Sequence, residues 1–210
     1  GAVVPRASAD GGASNAAGSA NIACGFDANA SSIGASSVNL AVGGSVNASG
    51  TSSFNVALGH QALYLHDSGN ANSAVGHGAM IANVSGRSNT ALGTYALADN
   101  LEGSFNVAVG SNALVTIEGN NNTALGYRTL FGVAGNNNIA LGIDAGRKII
   151  RGSNNIMIAN QGGEFDTRTI RLGTQGNHRA TFIAGIRGAT ISSGLAVVVW
   201  RGKPKTAPIP

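Results

Sequence analysis

The sequence predicts an all-β fold, a parallel β-solenoid of 16–17-residue coils, on three observations. A five-residue unit recurs: Asn55-Val56-Ala57-Leu58-Gly59, Asn72-Ser73-Ala74-Val75-Gly76, Asn89-Thr90-Ala91-Leu92-Gly93 and Asn106-Val107-Ala108-Val109-Gly110. Further copies begin at Asn21, Asn39, Asn122 and Asn138, and a degenerate one at Asn155, with Asn-to-Asn steps of 18, 16, 17, 17, 17, 16, 16 and 17 residues. A fixed period this short marks a repeat architecture. Secondly, no Gly-free run exceeds nine residues, which argues against helices of ordinary length. Thirdly, aromatic residues make up 5% of the chain and charged residues 10%, so Gly, Ala, Ser and Asn take the place of the usual large core residues. A strict apolar period separates this composition from that of a disordered chain.

In chain order, residues 1–20 are Ala/Gly/Ser-rich and read as a flexible lead-in or attachment segment. The array of about nine coils spans 21–160. With each Asn at position 0, positions +1 and +3 share one face of a short strand and +2 points to the other. Position +2 is Ala in eight copies, and +3 is always apolar. The larger +1/+3 residues are expected to fill the coil. The Ala face, comprising Ala57, Ala74, Ala91, Ala108, Ala124 and Ala140, is expected to pack on a neighbouring chain. Cys24 occupies a +3 position and is read as a small buried apolar residue. Gly at +4 turns the chain where a side chain would clash. The +7/+8 pair (Ala62-Leu63, Ala79-Met80, Ala96-Leu97, Ala113-Leu114) is expected to begin a second short strand. Stacking at about 4.8 Å gives a length of roughly 40 Å, with the Asn side chains in an amide ladder along the axis.

Residues 161–202 break the period. Runs such as Thr167-Arg168-Thr169-Ile170-Arg171-Leu172 and Leu195-Ala196-Val197-Val198-Val199-Trp200 alternate between Gly-containing turns and predict a β-rich cap or connector. Residues 203–210 form a Pro-rich end.

Little in the chain points to chemistry. The net charge is +4, and the basic residues toward the C-terminus are dispersed without an aromatic stacking platform, which argues against nucleic acid. One cysteine excludes an intrachain disulfide framework. No run of 18 apolar residues suggests membrane insertion. The carboxylates are scattered over turns, and a smooth solenoid is expected to lack the cleft that glycoside hydrolysis needs, so no catalytic residue is expected. Gly142-Ile143-Asp144-Ala145-Gly146-Arg147-Lys148 lacks the spacing of a phosphate loop. His60 and His77 share position +5 in consecutive coils, but metal sites normally use three or four converging ligands. Neither a metal nor any other cofactor is expected.

The pattern Gly119-Asn120-Asn121-Asn122-Thr123-Ala124-Leu125-Gly126-Tyr127-Arg128-Thr129-Leu130 resembles the head repeats of YadA-like trimeric adhesins. It is more similar to arrays in phage tail-fibre-type proteins that carry a C-terminal S74 (endosialidase-type) intramolecular chaperone. There, a segment similar to Ile170-Arg171-Leu172-Gly173-Thr174-Gln175-Gly176 plus Ala180-Thr181-Phe182-Ile183-Ala184-Gly185-Ile186-Arg187-Gly188 connects array and chaperone. The resemblance implies a left-handed β-roll, a homotrimer and a non-enzymatic fibre on a virion tail or extracellular cell surface. It also implies a glycan or protein receptor, and other tail or fibre proteins joined at the N-terminus. The alternative is the head of a bacterial trimeric autotransporter-type adhesin; a fibre-borne polysaccharide-degrading enzyme is a third reading. The adhesin head repeat is shorter, and no neck, heptad stalk or anchor motif is visible here. The variable outer positions His60, Tyr64, His66, Tyr95, Tyr127, Arg128 and Phe131 are the expected receptor contacts.

Overall fold

The computed structural model describes residues 21–30, 38–48, 54–116, 119–174 and 177. Every copy of the repeat becomes a three-residue strand: β1 (Ile22–Cys24), β2 (Leu40–Val42), β3 (Val56–Leu58), β4 (Ser73–Val75) and β5 (Thr90–Leu92). They continue as β6 (Val107–Val109), β7 (Thr123–Leu125), β8 (Ile139–Leu141), β9 (Ile156–Ile158) and β10 (Ile170–Leu172). All ten lie in one parallel sheet in sequence order. The register never slips, so Ala57 pairs with Ala74 and Ala74 with Ala91. The chain is therefore an all-β solenoid, and no helix occurs among the described residues.

The two strand faces are the reverse of the expectation. Ala57, Ala74 and Ala108 are 0% exposed and form the inner column of the coil, together with Ala91, Ala124 and Ala140. None of the six can touch a neighbouring chain. The +1 and +3 side chains point outward; Leu92 is 49% exposed and Ile139 47%. Cys24, also at +3, is exposed for the same reason. The coil is too thin for a large residue on both walls. The interior volume goes to the opposite wall, where Leu63, Met80, Leu97, Leu114 and Leu130 at +8 are fully buried. Only a methyl group fits opposite them at close packing.

That opposite wall is a turn, not the second strand expected at +7/+8. Leu63, Met80, Leu97, Leu114 and Leu130 all take left-handed backbone conformations, with φ between 50 and 52°. Such a conformation costs an L-residue about 1–2 kcal/mol, and it is tolerated here because it aims the side chain into the core. The turn still bonds from coil to coil, since the Leu63 N–H donates to the Ala79 carbonyl at 3.0 Å and the Leu97 N–H to that of Ala113 at 3.0 Å. At +8 of the β8 coil, Gly146 replaces the large residue, and the next coil carries Met157 rather than Ala at the inner strand position. We read the pair as a volume compensation within one core.

The Asn ladder forms as expected. Asn72 N–H donates to Asn55 Oδ1 at 2.9 Å, and the same bond repeats from Asn39 on Asn21 to Thr169 on Asn155. From Asn55 to Asn155 each amide also donates one coil onward: Asn72 Nδ2 to the Gly86 carbonyl at 2.8 Å, Asn106 Nδ2 to that of Gly119 at 2.9 Å. A second ladder runs the other way two residues upstream. Ser104 N–H donates to Asn120 Oδ1 at 2.8 Å, Asn120 N–H to Asn136 Oδ1 at 2.7 Å and Asn136 N–H to Ser153 Oγ at 3.0 Å. The two ladders satisfy buried and edge backbone groups that a three-residue strand cannot reach.

The sheet runs beyond residue 160. Thr169-Ile170-Arg171-Leu172-Gly173 is a tenth copy, with Thr at the Asn position and Arg at the Ala position. Arg171 forms a two-pronged ion pair with Asp166, Nε to Oδ2 at 2.6 Å and NH2 to Oδ1 at 2.8 Å. Arg171 stands in the Ala column and Asp166 in the Gly column that precedes each Asn by three residues, and Arg171 is exposed, so the described sheet ends in a charge pair at the surface. The expected cap falls mostly outside the described residues, as do the lead-in 1–20 and the Pro-rich end.

Candidate functional site

Two surfaces follow from this architecture. The sheet face displays the +1/+3 side chains as a continuous apolar stripe. Ile22, Leu92, Val107, Leu125, Ile139 and Leu141 are exposed along it, and it extends to Ile170 and Leu172 on β10. Ser73, Thr90 and Thr123 interrupt it at +1.

The outer turns carry the expected receptor contacts, and they fall into groups. His60 and His77 stack with ring centroids 5.2 Å apart and 5° between planes, and Tyr95 meets the His77 ring edge-on at 5.0 Å. Three coils further on, the Arg128 guanidinium lies 5.8 Å from the Tyr127 ring centroid and 5.7 Å from that of Phe131. Arg128 Nε is also 3.9 Å from Asp144 Oδ1, which Arg147 approaches at 3.7 Å. Tyr64 is exposed on the far turn, at +9.

His66 is no surface contact. It is 5% exposed and begins a buried polar column with Asn83 and Asn100. Its Nδ1 lies 2.9 Å from the Asn83 carbonyl, and its Nε2 lies 2.9 Å from the Gly69 carbonyl and 3.1 Å from Asn55 Nδ2. Asn100 Nδ2 donates to Asn83 Oδ1 at 2.7 Å. Burial pushes the His66 pKa below its ordinary value, against the opposing pull of the Asn83 and Gly69 backbone contacts. With the pKa lowered the ring is read as neutral, so its single N–H serves only one of the two carbonyls, Asn83 or Gly69. The polar tip makes His look like a surface residue in sequence, but its column, shared with Asn83 and Asn100, is the signal that places it inside.

The surface is not smooth. A cleft of about 870 Å³ opens between coils, lined by Asp99, Leu101, Glu102, Thr116, Asn120 and Asn136 among others. The expected smooth surface is thus broken by an open recess, whose walls come from the 17-residue coil of β5 and the 16-residue coils of β6 and β7. Among the described residues, no group of three or more His, Cys, Asp or Glu side chains converges as a metal site. No helix among them is long and apolar enough to cross a membrane.

Comparison with protein-family models, with curated proteins and with solved structures finds no match to this chain.

Proposed function

We propose that the chain is a structural, non-enzymatic segment of a homotrimeric fibre, of the left-handed β-roll kind, that extends or presents a receptor-binding surface. The observation that carries this reading is the apolar stripe on the sheet face. A lone chain leaves it in water along the whole array, and contiguous exposed apolar surface of this extent marks an interface. Three copies that turn their stripes toward a common axis bury it and leave the outer turns free. In a ring of three, each contact is heterologous, and the +1 and +3 columns of one sheet supply two different edges for it. The trimer interface thus moves from the Ala column to the opposite face of the same strands. Repeated outer sites on three chains then act by avidity. The place of action in this reading is a virion tail or an extracellular cell surface, with a cell-surface glycan or protein as receptor.

Native mass spectrometry of the full chain tests the assembly. A species of three times 20.8 kDa is expected. Leu92→Lys, Leu125→Lys and Leu141→Lys together are expected to give a folded monomer, because all three side chains already face solvent in the single chain. A wild-type chain that stays folded and monomeric at micromolar concentration rules the reading out. Hydrolysis of a bacterial surface polysaccharide by the purified chain would displace the non-enzymatic part of it.

A further inference from the structure

The stacked histidines have a geometry that the fibre reading does not use. His60 and His77 hold the same position on the coils of β3 and β4, one repeat apart. Their backbones are fixed on both sides of the stack. The Gly78 N–H donates to the His60 carbonyl at 2.9 Å and the Tyr95 N–H to the His77 carbonyl at 2.9 Å. The residue after each histidine is held in the left-handed region, Gln61 at φ 57° and Gly78 at φ 60°. Both rings are exposed, so their outer torsions are free to turn.

The neighbours shape the approach. Tyr95 closes the His77 side with its ring edge. On the other side stands Gly44, where a Cβ would come within 3.3 Å of His60 Cδ2, so the His60 ring lies over a residue that has no side chain to hinder its turning. The rest of the column supplies no carboxylate, with Thr94 and Ser111 next in line.

We infer that His60 and His77 form a bidentate site for a borderline divalent d-block ion, Zn²⁺, Cu²⁺ or Ni²⁺. Imidazole nitrogen bonds such ions at about 2.0–2.1 Å, so the two nitrogens must come to roughly 3–4 Å from each other. From rings 5.2 Å apart, a tilt of each about its outer torsion achieves this without moving the backbone. The second imidazole is held one coil away when the first binds, so the pair acts as a chelate rather than as two separate imidazoles. Water fills the remaining coordination positions. Hard cations such as Ca²⁺ and Mg²⁺ want oxygen ligands and are not served.

Isothermal titration of the full chain with Zn²⁺ and with Ni²⁺ at pH 7.5, with Ca²⁺ as control, tests this. One transition-metal ion per chain is expected, with no Ca²⁺ signal. His60→Ala and His77→Ala are each expected to weaken binding at least tenfold, with circular dichroism unchanged because both side chains are exposed. Thr94→His, which places a third imidazole on the next coil, is expected to tighten it at least tenfold. The inference is overturned if the wild type binds no ion or if either alanine variant stays within twofold of it. It fails equally if Thr94→His binds no tighter, or if replacing His178, the histidine outside the described residues, by itself abolishes the signal.

Discussion

Asn106 shows what one residue of the ladder does. Its Oδ1 accepts from the Asn122 N–H at 2.9 Å, and its Nδ2 donates to the Gly119 carbonyl at 2.9 Å, both buried. Asn106→Ala strands one donor and one acceptor, each costing about 1–3 kcal/mol. A fall in the urea midpoint is expected, and an unchanged midpoint would mean that the ladder is ornamental. His66 makes stability depend on pH. Burial lowers its folded pKa, so the folded state disfavours the proton that the unfolded chain accepts near pH 6.5. Stability is then full above that value and declines as pH falls through it, until the folded form also protonates. Thermal melts between pH 7.5 and 5 are expected to show this decline, and His66→Asn, which matches Asn83 and Asn100, is expected to remove it. A decline of equal size in the variant would assign it to another group.

At the scale of the coil, the corner glycines limit how closely repeats stack. Gly93 has φ 135°, and a Cβ there would lie 2.7 Å from the Gly110 carbonyl carbon. Gly142 has φ 115°, but its nearest heavy atom would be 3.5 Å away, at Ala159. Both substitutions to Ala strain the backbone, and only the first also collides with the next coil. Gly93→Ala is therefore expected to lower the melting temperature clearly more than Gly142→Ala; the reverse order would refute the stacking argument. The strand positions were legible in the sequence to the residue. The recurring Asn, the apolar +3 position and the Gly at +4 located β1 through β9, and the Asn ladder followed from the register. The +7/+8 element was not legible. Ala-Leu reads as strand by pattern, whereas five large residues at positive φ are a choice made by the space they fill.

Over the whole molecule, the sheet is a one-dimensional stack in which each coil touches only its neighbours. Stability in such a stack is close to a sum of repeats and interfaces. Deleting residues 72–88, one full period, joins Ala71 to Asn89 and keeps every column in register. The shortened chain is expected to fold with an unchanged circular dichroism profile and a modestly lower melting temperature. Deleting only 72–79 breaks every column at once and is expected to leave that region unfolded, as limited proteolysis would report. The candidate site was legible only in part. His60, Tyr95, Tyr127, Arg128 and Phe131 do stand on the outer turns, because variable positions in a strict repeat are those the core does not constrain. His66 and the recess lined by Asp99 and Glu102 were missed, the first because a polar ring was read as a surface group although Asn83 and Asn100 share its column, the second because it depends on how neighbouring turns fold over one another.

By itself the sequence determined the period, the parallel in-register stack, the strand triplets and the Asn ladder. Each of these depends on spacing along the chain, and spacing is what a repeat displays. Only the tertiary structure decided which face of the strand points inward. Alternation with a period of two divides side chains into two sets but does not say which set is buried. Here the width of the coil decided it. With Leu or Met filling the space from the far turn, a methyl group is all the near wall can hold. The Ala column went inside, and the Val, Leu and Ile columns were left on the surface.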